Sequence, residues 1–191
     1  MLKNALTYVK DSLNQYFMNL FAVHEGKAVL ANLVDQSGAI PLENQNKMVI
    51  SLINLEQETA KAYHDQYTRV NDGSFKNANP AARFNLDILF TACFEDYEEG
   101  LKFLAATISF FQGFGSLNAA NHADLPEGIH KLNFNIETLT YNETHSLWSA
   151  MGAKYQPSVI YKVRLISIQP EEIEGFDPSI QGISHNVAPR M

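Results

Sequence analysis

The sequence predicts an α+β fold in which helices pack on a mixed or antiparallel sheet. Its helical and strand-like segments follow the order α-β-β-β-α-β-α-β, with too few helices for a regularly wound parallel sheet. In one segment, residues 84–94, every second position from Phe84 to Phe94 is apolar, which is the period of a strand. The chain has 191 residues, 46% of them hydrophobic, which is enough to fill one core. We therefore expect a domain over residues 1–170 and an extended C-terminal arm over residues 171–191.

The first third of the chain predicts one helix and two strands. Apolar residues recur at spacings of three and four from Leu2 through Leu13 and Phe17 to Leu20, as on one stripe of an amphipathic helix. Residues 29–33 and 48–55 are strand-like and are separated by a loop that contains Gly38 and Pro41. Residues 59–83 show no sustained period and are rich in Asn, which predicts a long loop.

The remaining elements follow the strand at 84–94. Asp96 and Glu99 form a capping pattern before a helical apolar face that ends near Gly113. A strand over 132–141, a short helix over 144–151 that ends at Gly152, and a last strand over 159–168 complete the order. The last strand has apolar residues on both of its faces, so we expect both to be covered.

The character of the sequence changes after Pro170. Four carboxylates surround Ile173 and Phe176, and the segment beyond them contains only isolated apolar residues such as Ile180 and Ile183. Such a segment cannot form a core alone. Two alternatives stay open for it: a disordered tail, or an arm that lies extended on another chain, where main-chain pairing with an open sheet edge would order it.

The charge of the chain argues against nucleic acid and membrane as partners. There are 14 basic and 21 acidic residues, a net charge of −7, and the basic residues form no run or stripe. Phosphate binding requires concentrated positive charge. The longest apolar stretch is far shorter than the roughly 20 residues that a membrane helix needs. We expect assembly in the cytoplasm.

No motif in the sequence indicates catalysis, a metal or a cofactor. The six His residues lack ligand spacing, and Cys93 lies in an apolar strand that favours burial. Acidic residues near Asp96 suit the start of a helix. One alternative stays open, a small cytosolic enzyme or ligand-binding protein that uses the 113–130 loop as a lid. That loop holds a set of polar groups near a helix end: Gly115, Ser116, His122, Asp124 and His130.

Several stretches together resemble one family, the cap or tail-terminator proteins of phage-tail-like contractile injection systems. They are VLANLVD at 29–35, ENQNK at 43–47 with the strand over 48–56, YEEGLKFL at 97–104, ISFFQG at 108–113, LW at 147–148, GAKYQPS at 152–158 and YKVR at 161–164. They occur in the order that the family has and cover nearly all of residues 1–170. The combination is far more specific than any single stretch.

The resemblance implies a tail-terminator fold and a structural role. A homo-hexameric ring would close the end of the tube and sheath, stop their polymerisation and stabilise a contractile particle that can be released from the cell. Its partners would be sister subunits, the inner tube protein, the sheath protein and a second cap protein, to which the chain could also serve as an adaptor. The chain would be a short form without the additional C-terminal domain of larger relatives. The residues that we expect at subunit or partner contacts are Lys154, Tyr155, Ile173, Phe176, Ile180 and Ile183.

Overall fold

The computed structural model describes the backbone of residues 2–58, 67–69, 75–78, 82–118, 125–126, 129, 131–168 and 173–177. The helices and strands are, in chain order, α1 (Leu2–Phe21), β1 (Ala28–Leu30), β2 (Lys47–Gln57), β3 (Tyr67–Arg69), β4 (Phe75–Ala78), β5 (Ala82–Cys93), α2 (Tyr97–Gly113), β6 (Ser116–Asn118), β7 (Lys131–Glu137), α3 (Tyr141–Met151), β8 (Ser158–Ile168) and β9 (Ile173–Asp177). A single 3₁₀ turn at Leu42–Asn44 precedes β2. The chain divides into a larger unit, Met1–Gln57 with Arg83–Ser167, and a smaller unit, Glu58–Ala82 with Ile168–Met191.

The larger unit is built on a six-stranded mixed sheet with the order β1-β2-β5-β8-β7-β6. β1 runs parallel to β2, while β2 and β5, β7 and β8, and β6 and β7 are antiparallel pairs. The backbone N–H of Ala92 near the end of β5 donates to the carbonyl of Pro157 just before β8. All eight elements predicted from the sequence are present, and the α+β class is confirmed.

One face of this sheet carries an aromatic core beneath α1 and α2. Phe17 of α1 meets Phe103 of α2 with 5.0 Å between ring centroids. Phe111 contacts Phe90 of β5 at 5.0 Å and Tyr161 of β8 at 4.6 Å. The predicted stripe of α1 is buried at its middle positions, but the stripe ends early, since Leu20 is 51% exposed.

The opposite face of the sheet has a second, smaller apolar cluster. Leu33, Val49, Cys93 and Trp148 are buried together there, and Trp148 belongs to α3. Consecutive residues of the central strand β8, Ile160 and Tyr161, are both buried. The expectation that this strand is covered on both faces is therefore confirmed over residues 160–163, whose side chains are described.

The helix boundaries follow local capping chemistry. Asp96 caps α2, because its Oδ1 accepts from the backbone N–H groups of Glu98 and Glu99. The predicted strand over 132–141 is too long, since β7 ends at Glu137 and Tyr141 already begins α3. A reciprocal capping box between Thr140 and Glu143 starts this helix three residues earlier than periodicity alone indicated.

The smaller unit contains a three-stranded sheet with the order β3-β4-β9. Thr68 lies opposite Lys76 in the first antiparallel pair, and Lys76 lies opposite Phe176 in the second. The prediction that residues 59–83 form only a loop was wrong at β3 and β4. The pairing also shows that part of the acidic arm forms a strand with its own chain, whereas the sequence left open disorder or pairing with another chain. Neither pairing has a local sequence signature, because each depends on segments that meet only through the fold.

Candidate contact surfaces

The turn after α3 presents two of the predicted contact residues to solvent. Gly152 ends the helix with φ of +65°, a conformation that glycine adopts without strain. The N–H of Ala153 donates to the carbonyl of Trp148, which draws the chain back toward the helix. Lys154 and Tyr155 follow as exposed residues, and Tyr155 is 65% exposed.

An open, mainly apolar groove of about 850 Å³ runs beside α3 and this turn. Its floor is Trp148, whose ring centroid lies 5.4 Å from that of Tyr155. Tyr141 lines the same groove and is 97% exposed. We define the side chains of Tyr141, Trp148 and Tyr155 as the aromatic groove. Two exposed tyrosines on one apolar surface suit contact with another protein, because an amphipathic ring can bury its apolar body and keep its hydroxyl wet.

A polar network lies on β2, β5 and β8. Lys162 Nζ lies 3.0 Å from Glu56 Oε2 and 3.8 Å from Asp87 Oδ1, while Asn54 Nδ2 donates to Asp87 Oδ2 at 3.0 Å. The hydrogen bond to Glu56 raises the pKa of Lys162, and the negative charge of Asp87 adds to the effect. The lysine therefore remains a cation, which suits an ion-pair network rather than a catalytic base. No local sequence pattern marks this network, because its members come from three strands that are distant in the chain.

The other predicted contact residues belong to the smaller unit or lie outside the described residues. Ile173 and Phe176 are in β9, where they pair with Ala78 and Lys76 of β4. Ile180 and Ile183 are not among the residues that the structure describes. The six candidates are thus divided between segments of two compact units, and their roles as contacts stay predictions.

The loop of the alternative enzyme hypothesis is described only in part. Ser116 begins β6 and pairs with Asn133 of β7. His122, Asp124 and His130 lie outside the described residues. In the described part of the chain, no three His, Cys, Asp or Glu side chains lie close enough to hold a metal ion. There, too, no helix combines the length and apolar character needed to span a bilayer.

Cys93 is placed for packing and not for nucleophilic chemistry. It is 5% exposed within the cluster beneath α3, and burial raises the pKa of its thiol to about 11. A nucleophilic cysteine needs the thiolate, which is scarce near neutral pH at such a pKa. This agrees with the sequence-based interpretation of Cys93 as a core residue.

The fold is shared with two structures of terminator proteins. One is the sheath/tube terminator of PVC, an extracellular contractile injection system, in its extended state, with 12% sequence identity and a TM-score of 0.57. The other is the tube-terminating cap of the anti-feeding prophage, with 15% identity and a TM-score of 0.59. Each match covers 94% of this chain, but only 63% and 60% of the respective terminators. The chain thus spans about three fifths of the length of these proteins.

No protein with curated function matches the sequence. A family model does match, the Pvc16 N-terminal domain, and it extends over residues 5–182. This range includes both sheets, the aromatic groove and β9. The chain belongs to the Pvc16 N-terminal domain family.

Proposed function

We propose that this chain is a non-catalytic cap subunit that forms a hexameric ring at the end of the tube and sheath of a contractile injection system. The ring ends polymerisation of both layers and stabilises the particle. The observation that carries this proposal is family membership over residues 5–182. The fold that 94% of the chain shares with two terminators supports it.

The surface of the larger unit suits a protein whose task is contact. Ile160 and Tyr161 of β8 lie on opposite faces of the sheet, and both are buried within the subunit itself. Among the exposed large apolar side chains of this unit, Tyr141 and Tyr155 share the aromatic groove and are 97% and 65% exposed. Aromatic residues are enriched at the centres of protein interfaces. We propose that Lys154 and Tyr155 contact a neighbouring subunit of the particle.

The arm and the 59–83 segment act together in this proposal. We keep a domain over 1–170 and an arm over 171–191, and add that β9 of the arm completes the sheet of β3 and β4. A sheet of three short strands is at the lower limit of strand number for independent stability. We propose that it docks on the ring or the sheath, with Ile173, Phe176, Ile180 and Ile183 as its apolar contacts.

The remaining partners follow from the role. Sister subunits complete the ring. The ring contacts the last ring of the inner tube protein and the last ring of the sheath protein, and a second cap protein binds to its outer side. We propose that the subunit assembles into the particle in the cytoplasm. The finished particle then acts outside the cell.

Gene deletion tests the central claim. Electron micrographs of particles from the deletion strain should show open ends with irregular tube and sheath lengths, and the wild-type gene should restore uniform particles. Native mass spectrometry of the purified chain, alone and with tube protein, measures whether six copies associate. Uniform, capped particles in the deletion strain would refute the proposal.

Two variants test the aromatic groove and the C-terminal arm separately. Tyr155→Ala should leave the free energy of unfolding within about 0.5 kcal/mol of wild type, as for most surface changes, yet reduce capped particles. A chain that stops after Pro170 removes β9 and should keep the larger unit folded but lower incorporation into particles. Thr138→Ala, an exposed change near the same groove, serves as the control. Wild-type incorporation of both variants would exclude these surfaces as contacts.

A further inference from the structure

β1 is an edge strand of the six-stranded sheet, with β2 as its neighbour in the strand order. The outer side of an edge strand presents backbone N–H and C=O groups that another strand can pair with. The three residues of β1, Ala28–Leu30, are all apolar, which would suit such pairing. An edge of this kind has to be blocked if the chain is to avoid sheet extension.

The hydrogen bonds of β1 show which of its residues point outward. The carbonyl of Lys27 accepts from the N–H of Met48 at 2.7 Å, and the N–H of Ala31 donates to the carbonyl of Ile50 at 3.2 Å. Because the two backbone groups of each residue in a parallel pair point to the same side, alternate residues face β2. Ala28 follows Lys27 and therefore directs both of its backbone groups away from β2.

The side chain of Asn14 satisfies both of these outward groups. The N–H of Ala28 donates to Asn14 Oδ1 at 2.7 Å, and Asn14 Nδ2 donates to the carbonyl of Ala28 at 2.9 Å. A primary amide carries the same donor and acceptor as a peptide group. Asn14 thus occupies the position that a backbone unit of a further strand would take.

Packing fixes this amide in place. Asn14 follows Leu13, which is fully buried in the core beneath α1, and Ala28 is only 5% exposed. Gly26 lies beside the amide of Asn14: a Cβ atom at position 26 would be 3.4 Å from Asn14 Nδ2, in ordinary van der Waals contact. Helix α1 therefore places one side chain against the outward-facing backbone groups at the first residue of β1.

We propose that Asn14 closes the β1 edge of the sheet against main-chain pairing with a second copy of this chain. A second copy is the relevant competitor because it brings an identical apolar β1 segment at the full concentration of the protein. The inference stands apart from the proposed function, since it concerns what the isolated subunit is prevented from doing.

The test compares Asn14→Ala with Asn19→Ala, which makes the same replacement at an exposed position of the same helix. Two measurements are made on purified full chains. Hydrogen exchange reports the protection of the Ala28 amide, and light scattering after size exclusion reports species larger than those of wild type. For Asn14→Ala we expect exchange at Ala28 to be faster on the order of tenfold in dilute protein. Larger species should appear as the concentration rises, while Asn19→Ala should match wild type.

Asn14→Asp provides a second, nearly isosteric variant if Asn14→Ala fails to fold. Its carboxylate can still accept from the Ala28 N–H but places an acceptor against the Ala28 carbonyl. We expect that unpaired carbonyl to permit association at high concentration. Faster exchange without larger species would show that Asn14 only anchors α1 to β1, and would overturn the proposal. Wild-type protection and wild-type mass in the folded variant would overturn it as well.

Discussion

Replacing Trp148 with alanine should detach α3 from the sheet and uncover the cluster beneath it. Trp148 is the residue of α3 that is buried, at 5% exposure, and it packs with Leu33, Val49 and Cys93. A tryptophan buries roughly 150–250 Å². At about 25 cal/mol per Å² this area corresponds to about 4–6 kcal/mol, an upper bound because the unfolded chain also buries part of it. We expect a loss of about 3–5 kcal/mol in the free energy of unfolding, as for other Trp-to-Ala changes in cores.

Urea unfolding measures this loss, and the single cysteine gives an independent reading. Buried Cys93 has a thiol pKa of about 11. At pH 8 about one thiol in a thousand is then ionised, against about a quarter at an ordinary thiol pKa near 8.5. Uncovering Cys93 should therefore raise its rate of reaction with a disulfide reagent by up to about 200-fold.

Tyr141→Ala is the matched control, because it removes an aromatic side chain from the same helix at 97% exposure. It should change the free energy of unfolding by less than about 0.5 kcal/mol and leave the thiol unreactive. The reasoning fails if Trp148→Ala loses less than about 1 kcal/mol and Cys93 stays protected. That result would mean that the 31–40 segment covers the cluster without help from α3.

Three further predictions concern helix ends and pH. Thr140→Ala removes the cap of α3 and should cost about 1 kcal/mol in urea unfolding; an equal loss in Thr138→Ala would contradict this. Gly152→Ala places a Cβ atom on a residue with φ of +65°, and this backbone strain should lower the free energy of unfolding by about 1–2 kcal/mol, although no other atom lies within 4 Å of that Cβ. Gly113→Ala has an equally open Cβ position and should instead stabilise α2 slightly. The raised pKa of Cys93 means that the folded chain keeps its thiol proton while the unfolded chain loses it above about pH 8.5. Stability should therefore fall with rising pH between about 8.5 and 11, and Cys93→Ala should flatten that slope; identical slopes would refute the assignment.

Local chemistry is what the sequence predicts well in this protein. The period of α1, the alternation in β5, the cap at Asp96 and the glycine at position 152 each depend on residues a few positions apart, and each is confirmed. The start of α3 was missed although Thr140 and Glu143 carry a recognisable capping box, because Tyr141 fits the end of a strand equally well.

The features that the sequence did not predict depend on pairings between segments that are distant in the chain. β3 and β4 lie in a polar stretch without alternation, and β9 is surrounded by carboxylates, so no local pattern marks them. The network around Lys162 and the bonds from Asn14 to Ala28 likewise join residues that only the fold brings together. The aromatic groove is similar, because one of its exposed tyrosines is the first residue of α3 and the other follows the end of that helix.

The pairing of β4 with β9 has a consequence for how the chain is made. Asn77 lies opposite Gly175, so the partner of β4 leaves the ribosome 98 residues later. At about 5–20 residues per second, β4 waits on the order of 5–20 seconds for the strand that completes its sheet. The larger unit ends at Ser167 and has all of its strands by then. We therefore expect ribosome-bound chains to fold the larger unit first, and to form the three-stranded sheet only after β9 has emerged.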